Sequence, residues 1–490
     1  MVQLLQLILA LPLAAAFLSI TVRTRRVVEY IHLSLSAFLA AAGSLFCARV
    51  IRGGTFSAWD GFFYADALSA FYLGIILLVN VFVAVYSVGY IRNEIAGGHL
   101  PEKKLFRYYA LLNLFIFTMV FVCLAGNLGA LWIGIEATTL ASAFLVGIYN
   151  KNVSIEAAWK YIIICTVGIT FALFGTVLLY YASIQVTGDL KHSLHWIDIA
   201  RMADKLNPQI VKIAFIFILI GYGTKAGLAP MHTWMPDAHS QAPSPVSALL
   251  SGVLLKCAIY GIIRYHIIVK KCAGGVYSDH LLIIFGVLSL LFATFFILVQ
   301  SDIKRLFAYS SLEHIGLISV GLGFGGAVGL FGALLHTVNH AITKTLMFCT
   351  AGEIIARYKS RSILRIAGVV TAFPLTGIAL LAGGFALAGS PPFGIFISEL
   401  MILKAGFAGG HAAAAVIVLA ALVLIFAGLI KHISGMAFGQ PPADVQRVAN
   451  RWGVPVLAVL GIMMTLTGLY LPSFLTQTIR QCVDIINGAV

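Results

Sequence analysis

Runs of roughly twenty apolar residues recur from one end of the sequence to the other, and that is the length a helix needs to cross the hydrocarbon core of a bilayer. They fall near 2–20, 28–48, 66–90, 108–125, 128–149, 156–182, 211–234, 244–268, 280–299, 304–324, 326–356, 368–404, 411–434 and 453–474, which predicts about fourteen spans. With 60% of residues hydrophobic and 10% charged, a soluble chain would have too few charges to cover its apolar side chains. A transmembrane β-barrel would need alternating segments of about ten residues, and none is visible. The expected fold is an all-α polytopic membrane protein. The first run, LLQLILALPLAAAFLSI, has no basic segment before it and reads as a retained helix rather than a signal peptide.

The formal charge of +14 does not point to nucleic acid, because the basic residues lie in short loops between spans. Arg23, Arg25 and Arg26 follow the first span, and Arg92, Lys103, Lys104 and Arg107 follow the third. Lys304 and Arg305 precede the tenth, while Arg357, Lys359, Arg361 and Arg365 follow the eleventh. Loops after odd-numbered spans carry most of these cations, so the positive-inside rule predicts that they are cytoplasmic and that both termini face outward from a prokaryotic cytoplasmic membrane. Cys47, Cys123, Cys165, Cys257, Cys272, Cys349 and Cys482 are scattered without CxxC or cluster-ligand spacing, which argues against an iron–sulfur site on this chain. The GxxxxGK[ST] phosphate loop is also absent, so ATP hydrolysis is not expected.

No soluble domain interrupts the chain. The most polar stretch, residues 185–210, places Leu, Trp and Ile at helical spacing and predicts a short amphipathic helix at the membrane surface. Four parts are expected: flanking helices 1–3 over residues 1–107, a first five-helix block (helices 4–8) over 108–270, a second (helices 9–13) over 271–440, and helix 14 over 441–490. Each block has a late span interrupted by proline beside an ionisable residue: Lys225 with GLAPMHTWMP, and LAGSPPFGIFISEL with Glu399. Such matched interruptions in helices 7 and 12 are the sequence sign of a transporter built from two repeats.

Ionisable residues inside spans are costly, by about 2.5–3.5 kcal/mol each on insertion scales. Glu136, Lys225, Lys256, Lys344 and Glu399 sit there, with Lys404 further along the same span as Glu399. Three lysines and two glutamates cannot all form one-to-one pairs, so fixed structural ion pairs do not explain the set. Proton transfer does: burial disfavours a charged lysine and a nearby carboxylate restores it, so a buried lysine can switch as its surroundings change. Lys225 is the expected switch and Glu136 its modulator, with the proline break freeing carbonyls and admitting water. His336, His340 and Lys344 follow at four-residue steps on one helix face and extend the line. That spacing also suits a metal or haem, but the sequence offers no carboxylate–histidine set to complete a metal site, and a proton relay is the preferred reading. His232, His239, His314 and Lys404 are accessory candidates.

The segments TKAGLAPMHTWMPDAHSQAPSPVSALLSGVLLK, QSDIKRLFAYSSLEHIGLI and LLHTVNHAITKTLMFCTAG resemble the proton-conducting antiporter-like subunits of respiratory complex I, Mrp-type cation/proton antiporters and group 4 membrane-bound hydrogenases. The resemblance covers roughly residues 108–430 and implies fourteen helices in which two inverted five-helix repeats each form a half-channel. It implies that Glu136 is the fifth-helix glutamate, Lys225 the broken-helix lysine and Lys256 the bridging lysine. It likewise makes His336, His340 and Lys344 the eleventh-helix relay and Glu399 the terminal group, a position held by lysine in some members. GSPPFGIFISE more closely resembles component F of hydrogenase-4 and formate hydrogenlyase-type complexes. The sequence ends soon after the fourteenth span, without the long lateral helix of one complex I subunit.

The implied function is proton translocation within a redox-driven complex, a respiratory hydrogenase or complex I-like assembly. No catalytic residue, cofactor or metal is expected on this chain itself. Iron–sulfur clusters, with nickel–iron as a further candidate, would reside in partner subunits. The alternatives are a sodium/proton antiporter component of the Mrp type, or a non-conducting scaffold or quinone-binding subunit.

Overall fold

The computed structural model describes residues 1–189, 192–446 and 450–488, and helices dominate it. α1 (Val2–Thr21) and α2 (Arg25–Gly53) lead into a small antiparallel hairpin, β1 (Phe56–Ala58) and β2 (Phe63–Ala65). α3 (Ala67–Ala96), α4 (Lys103–Leu124), α5 (Leu128–Val146) and α6 (Asn152–Thr187) follow. α7 (Trp196–Arg201) precedes α8 (Pro208–Ala226), α9 (Trp234–Gln241) and α10 (Ser244–Leu249). A π turn over Leu250–Leu254 joins α10 to α11 (Leu255–Ala273), and α12 (Gly275–Leu298), α13 (Ile303–Phe324) and α14 (Gly326–Tyr358) come next. α15 (Val369–Ala372), α16 (Pro374–Leu387), α17 (Gly394–Ala408), α18 (Ala412–Ala437), α19 (Gly453–Leu469) and α20 (Ser473–Ile486) complete the chain.

Among the described residues, ten helices are long and apolar enough to cross a membrane, or eleven if the bent pair α19–α20 is one span. The predicted tenth, eleventh and twelfth spans are also helical, at α13, α14 and the α16–α17 pair, but fall outside that set. For α13 and α14 the reason is their position. They are buried almost end to end among other helices, so they carry polar residues that a lipid-facing helix could not. Peripheral helices show the opposite pattern: α6 exposes Trp159, Ile163, Val167 and Phe174 outward, as a surface facing hydrocarbon requires.

Both expected breaks are present. α8 ends at Gly227, whose left-handed backbone (φ +81°) turns the chain before it resumes in α9. The second lies between α16 and α17, over 388–393. Two expectations change. The two ends of the amphipathic segment near 185–210 belong to α6 and α8, and between those helices it is helical only over α7 and a turn at Ala203–Lys205 among its described residues. α7 is pinned to the bundle, because Trp196 is buried and its Nε1 donates to the Arg264 carbonyl at 2.8 Å. After α19 the chain bends by 68° into α20, an amphipathic helix that packs across α3 and α14 and was not anticipated.

Candidate functional site

The last turn of α8 carries Lys225, buried to 1% exposure. Its ammonium donates to Thr139 Oγ1 and Tyr161 OH, both at 2.7 Å, and lies 4.7 Å from the centre of the Tyr161 ring. Tyr161 continues to Ser142 Oγ at 2.8 Å, so α5 and α6 supply a hydroxyl cradle. Glu136 is half-buried and accepts from Thr166 Oγ1 at 2.9 Å rather than from Lys225, leaving Oε2 without a partner among the described residues. The break does free backbone groups, but protein claims part of them: Trp234 Nε1 donates to the Thr224 carbonyl at 2.8 Å, and Ser289 Oγ accepts from Ala229 N–H at 2.9 Å.

Lys256 lies in the first turn of α11, just after the π turn. That irregularity turns the Ser251 carbonyl to Lys256 Nζ at 2.6 Å, while Ser251 Oγ meets Ser311 Oγ of α13 at 2.7 Å. Ser311 Oγ donates to the Phe307 carbonyl at 2.9 Å, and Lys344 Nζ of α14 donates to that same carbonyl at 2.8 Å and also bonds Ser310 Oγ. A continuous polar thread therefore joins Lys256 to Lys344. No direct hydrogen bond links the Lys225 cradle to Lys256 among the described residues.

Beyond Lys344 the α14 face continues through His340 to His336. His336 Nε2 faces His314 Nδ1 at 3.0 Å, and His336 Nδ1 faces Ser398 Oγ of α17 at 2.9 Å. The His340 ring lies 4.8 Å from His314, and neither of its nitrogens has a partner among the described residues. Glu399 reaches the same cluster, with ligand atoms of His314, His336 and Glu399 all within 4.8 Å of one another. The carboxylate–histidine grouping that the sequence did not offer is thus assembled by the fold. Gly389, in the second break at φ +70°, makes room for it, since a Cβ there would collide with the Glu399 carboxylate.

The accessory candidates separate. His314 belongs to the cluster. His239 is buried between the Trp234 and Phe348 rings, and His232 packs beside Phe292, Phe296 and Tyr309. Lys404 lies on an exposed face of α17, away from these groups. Glu313, which precedes His314 on α13, was missed as a candidate; it is buried, its Oε2 has no partner among the described residues, and it lies within electrostatic reach of Lys344 and Glu399. Lys304, read as a loop charge, is also buried and donates to the Ala242 carbonyl at 2.5 Å. Tyr161, Thr139, Ser251, Ser311 and Ser398 were missed, since a hydroxyl in an apolar helix gives no signal until its partner is known.

Residues 125–426 match the model of the family described as NADH:quinone oxidoreductase/Mrp antiporter, transmembrane. A hydrogenase-4 component F homolog from Methylacidiphilum infernorum is 36% identical over 92% of this chain and 93% of its own length. NADH-quinone oxidoreductase subunit N from Desulforudis audaxviator is 31% identical, covering 83% and 82%. Among solved structures, a chain of the archaeal membrane-bound sulfane sulfur reductase superposes with a TM-score of 0.88 at 26% identity, covering 99% of this chain and 98% of that one. A chain of the Mrp complex from Dietzia shares the fold with a TM-score of 0.86 at 22% identity, over 99% and 98%. The family match spans the two breaks and the polar thread between them, and this chain belongs to the NADH:quinone oxidoreductase/Mrp antiporter transmembrane family.

Proposed function

We propose that this chain is the proton-translocating membrane subunit of a redox-driven, multi-subunit complex. The observation that carries the reading is the state of its central lysines. Lys225, Lys256 and Lys344 are fully buried, yet each is held by neutral hydroxyl and carbonyl oxygens rather than by a carboxylate. Such an ammonium can lose its proton without leaving a charged partner stranded. The proton enters near Lys225, passes Lys256 and the His336–His340–Lys344 face, and leaves near Glu399. Glu136 biases Lys225 through space, and water carries the proton between the Lys225 cradle and Lys256. Blocks 108–270 and 271–440 act as inverted repeats forming two half-channels, and both termini face outward.

Each charge moved against 100 mV costs about 2.3 kcal/mol, so the stroke draws on redox chemistry in other subunits. Iron–sulfur clusters, and nickel–iron in a hydrogenase setting, reside there. The similarity to a hydrogenase-4 component F homolog over nearly the full length of both chains supports that setting. The experiment is redox-driven proton uptake by vesicles holding the native complex. Lys225→Ala should abolish uptake while assembly survives, and unchanged uptake would refute the reading.

A sodium/proton antiporter function is the second reading, since a carboxylate such as Glu136 or Glu399 accepts either ion. A Na(+)/H(+) antiporter component of Alkalihalophilus pseudofirmus is 31% identical over 70% of this chain and 42% of its own length. Sodium-dependent proton flux without redox turnover would favour it.

A further inference from the structure

We infer that His314, His336 and Glu399 form a binding site for a divalent transition-metal ion of the zinc class, in which the ion takes the place of a proton shared by the two imidazoles. The hydrogen bonds around His336 accommodate the tautomer a ligand needs. Ser398 Oγ has backbone carbonyls of its own helix to donate to, Ile395 at 2.8 Å and Gly394 at 3.2 Å, which leaves its lone pair to accept from His336 Nδ1 at 2.9 Å. In that arrangement His336 carries its proton on Nδ1 and presents a bare Nε2 lone pair to His314 Nδ1, 3.0 Å away. That is the arrangement of a ligating histidine whose other nitrogen is held by an outer partner.

The two facing nitrogens are close to the separation of about 3.3 Å expected for neighbouring ligands 2.0–2.1 Å from a tetrahedral zinc ion. Glu399 supplies the third arm. It is buried, its Oε1 has no hydrogen-bond partner among the described residues, and a carboxylate oxygen lies within 4.8 Å of a ring nitrogen of each histidine. An extra lone pair is available from His340, whose two nitrogens are unpartnered beside His314. On binding, His314 moves its proton from Nδ1 to Nε2, which is also unpartnered, and remains neutral. The ion then sits with one carboxylate and neutral imidazoles, a donor set that suits zinc-class ions and not the oxygen-seeking Mg²⁺, Ca²⁺ or Na⁺. That occupancy also blocks proton exit at Glu399 rests on the transport reading above; binding does not.

The test measures Zn²⁺ bound by the native complex in lipid nanodiscs by equilibrium dialysis and elemental analysis, as the difference between the unaltered complex and one carrying His336→Gln with Glu399→Gln. Gel filtration verifies that both are assembled. Partner-subunit metals cancel in this difference. The expected result is one additional Zn²⁺ per unaltered chain, displaced by Co²⁺ with a tetrahedral visible spectrum and not by Mg²⁺. Ser398→Ala, which removes only the outer partner, should weaken binding by about 10–100-fold. Equal zinc in the two assembled complexes, or affinity unmoved by Ser398→Ala, overturns the site. Because no proton flux is read, failure here leaves the transport reading standing, and failure of transport leaves the metal site standing.

Discussion

Arg264 and Lys225 are both cations buried to within a few percent of full enclosure, and the protein treats them in opposite ways. Arg264 is clamped bidentately by Asp66, with Nη1 and Nη2 each 2.7 Å from a carboxylate oxygen, and stacks 4.2 Å from the Trp196 ring centre. Asp66 also accepts from Ser69 N–H at 2.9 Å and caps α3. Arg264 Nη2 adds Ser69 Oγ at 2.9 Å and Tyr260 OH at 3.0 Å. Among the described residues, Lys225 has only the hydroxyls of Thr139 and Tyr161 within hydrogen-bond reach. A guanidinium that never gives up its proton, fixed in a fork by a carboxylate, holds helices in register. An ammonium held by hydroxyls costs more to keep charged and less to discharge. Burial alone therefore does not mark a functional charge; the kind of partner does.

Glu29, Glu353 and their arginines repeat the clamped pattern. Glu29 pairs with Arg92 at 2.6 Å and Arg25 at 3.3 Å, and Glu353 pairs with Arg357 at 3.2 Å while accepting from Asn450 at 2.5 Å. Lys256 and Lys344 repeat the unclamped one. The Asp66–Arg264 clamp ties α3 to α11 and the Glu29–Arg92 pair ties α2 to α3, whereas Lys256 and Lys344 line the polar thread.

The largest effect should come from breaking a clamp. Asp66→Ala leaves Arg264 buried and unpaired, and the expected loss is about 3–5 kcal/mol of stability, read as a fall in melting temperature or loss of assembled complex. Asp66→Leu combined with Arg264→Met should recover most of that loss, because a well-packed apolar pair can replace a buried ion pair. Lys225→Ala inverts the pattern. Proton uptake should be abolished, a loss of about 100-fold or more on the scale of a positioned proton-transfer group, while melting stays close to that of the unaltered protein.

Tyr161→Phe sharpens the contrast by keeping Lys225 and removing one of its two hydroxyls. Uptake should fall about tenfold, equivalent to the 1–3 kcal/mol of a lost buried hydrogen bond, with little change in assembly. The smallest effect belongs to Lys404→Ala: the side chain is exposed on α17 and off the thread, so uptake should stay within about twofold, inside the usual ±0.5 kcal/mol of a surface change. Retained coupling after Lys225, Lys256 and Glu399 are neutralised together would erase the distinction and favour a scaffold role.

Much of this division could be read before any coordinates. Lys225, Lys256 and Lys344 interrupt apolar runs, and a charge in such a run is visible because hydrocarbon penalises it. The four-residue steps of His336, His340 and Lys344 place them on one face by helix geometry alone. The partners were not legible. Tyr161 meets Lys225 from 64 residues away and Ser311 meets Ser251 from 60, and nothing local to a serine or tyrosine announces such a contact. Arg264 with Asp66, 198 residues apart, was hidden for the same reason. The π turn at Leu250–Leu254 and amphipathic α20 also escaped, since one is set by backbone hydrogen bonding and the other by a face that only the α3 and α14 surface completes.

The most direct test of switchable against clamped charge is a density map of the native complex in lipid at a resolution that shows ordered water. A file of waters should bridge the Tyr161–Lys225 cradle to Lys256, where no direct protein hydrogen bond runs among the described residues, with no corresponding file at the Arg264–Asp66 clamp. Apolar side chains filling the interval between Lys225 and Lys256, with no water density in it, would contradict a proton path through these lysines.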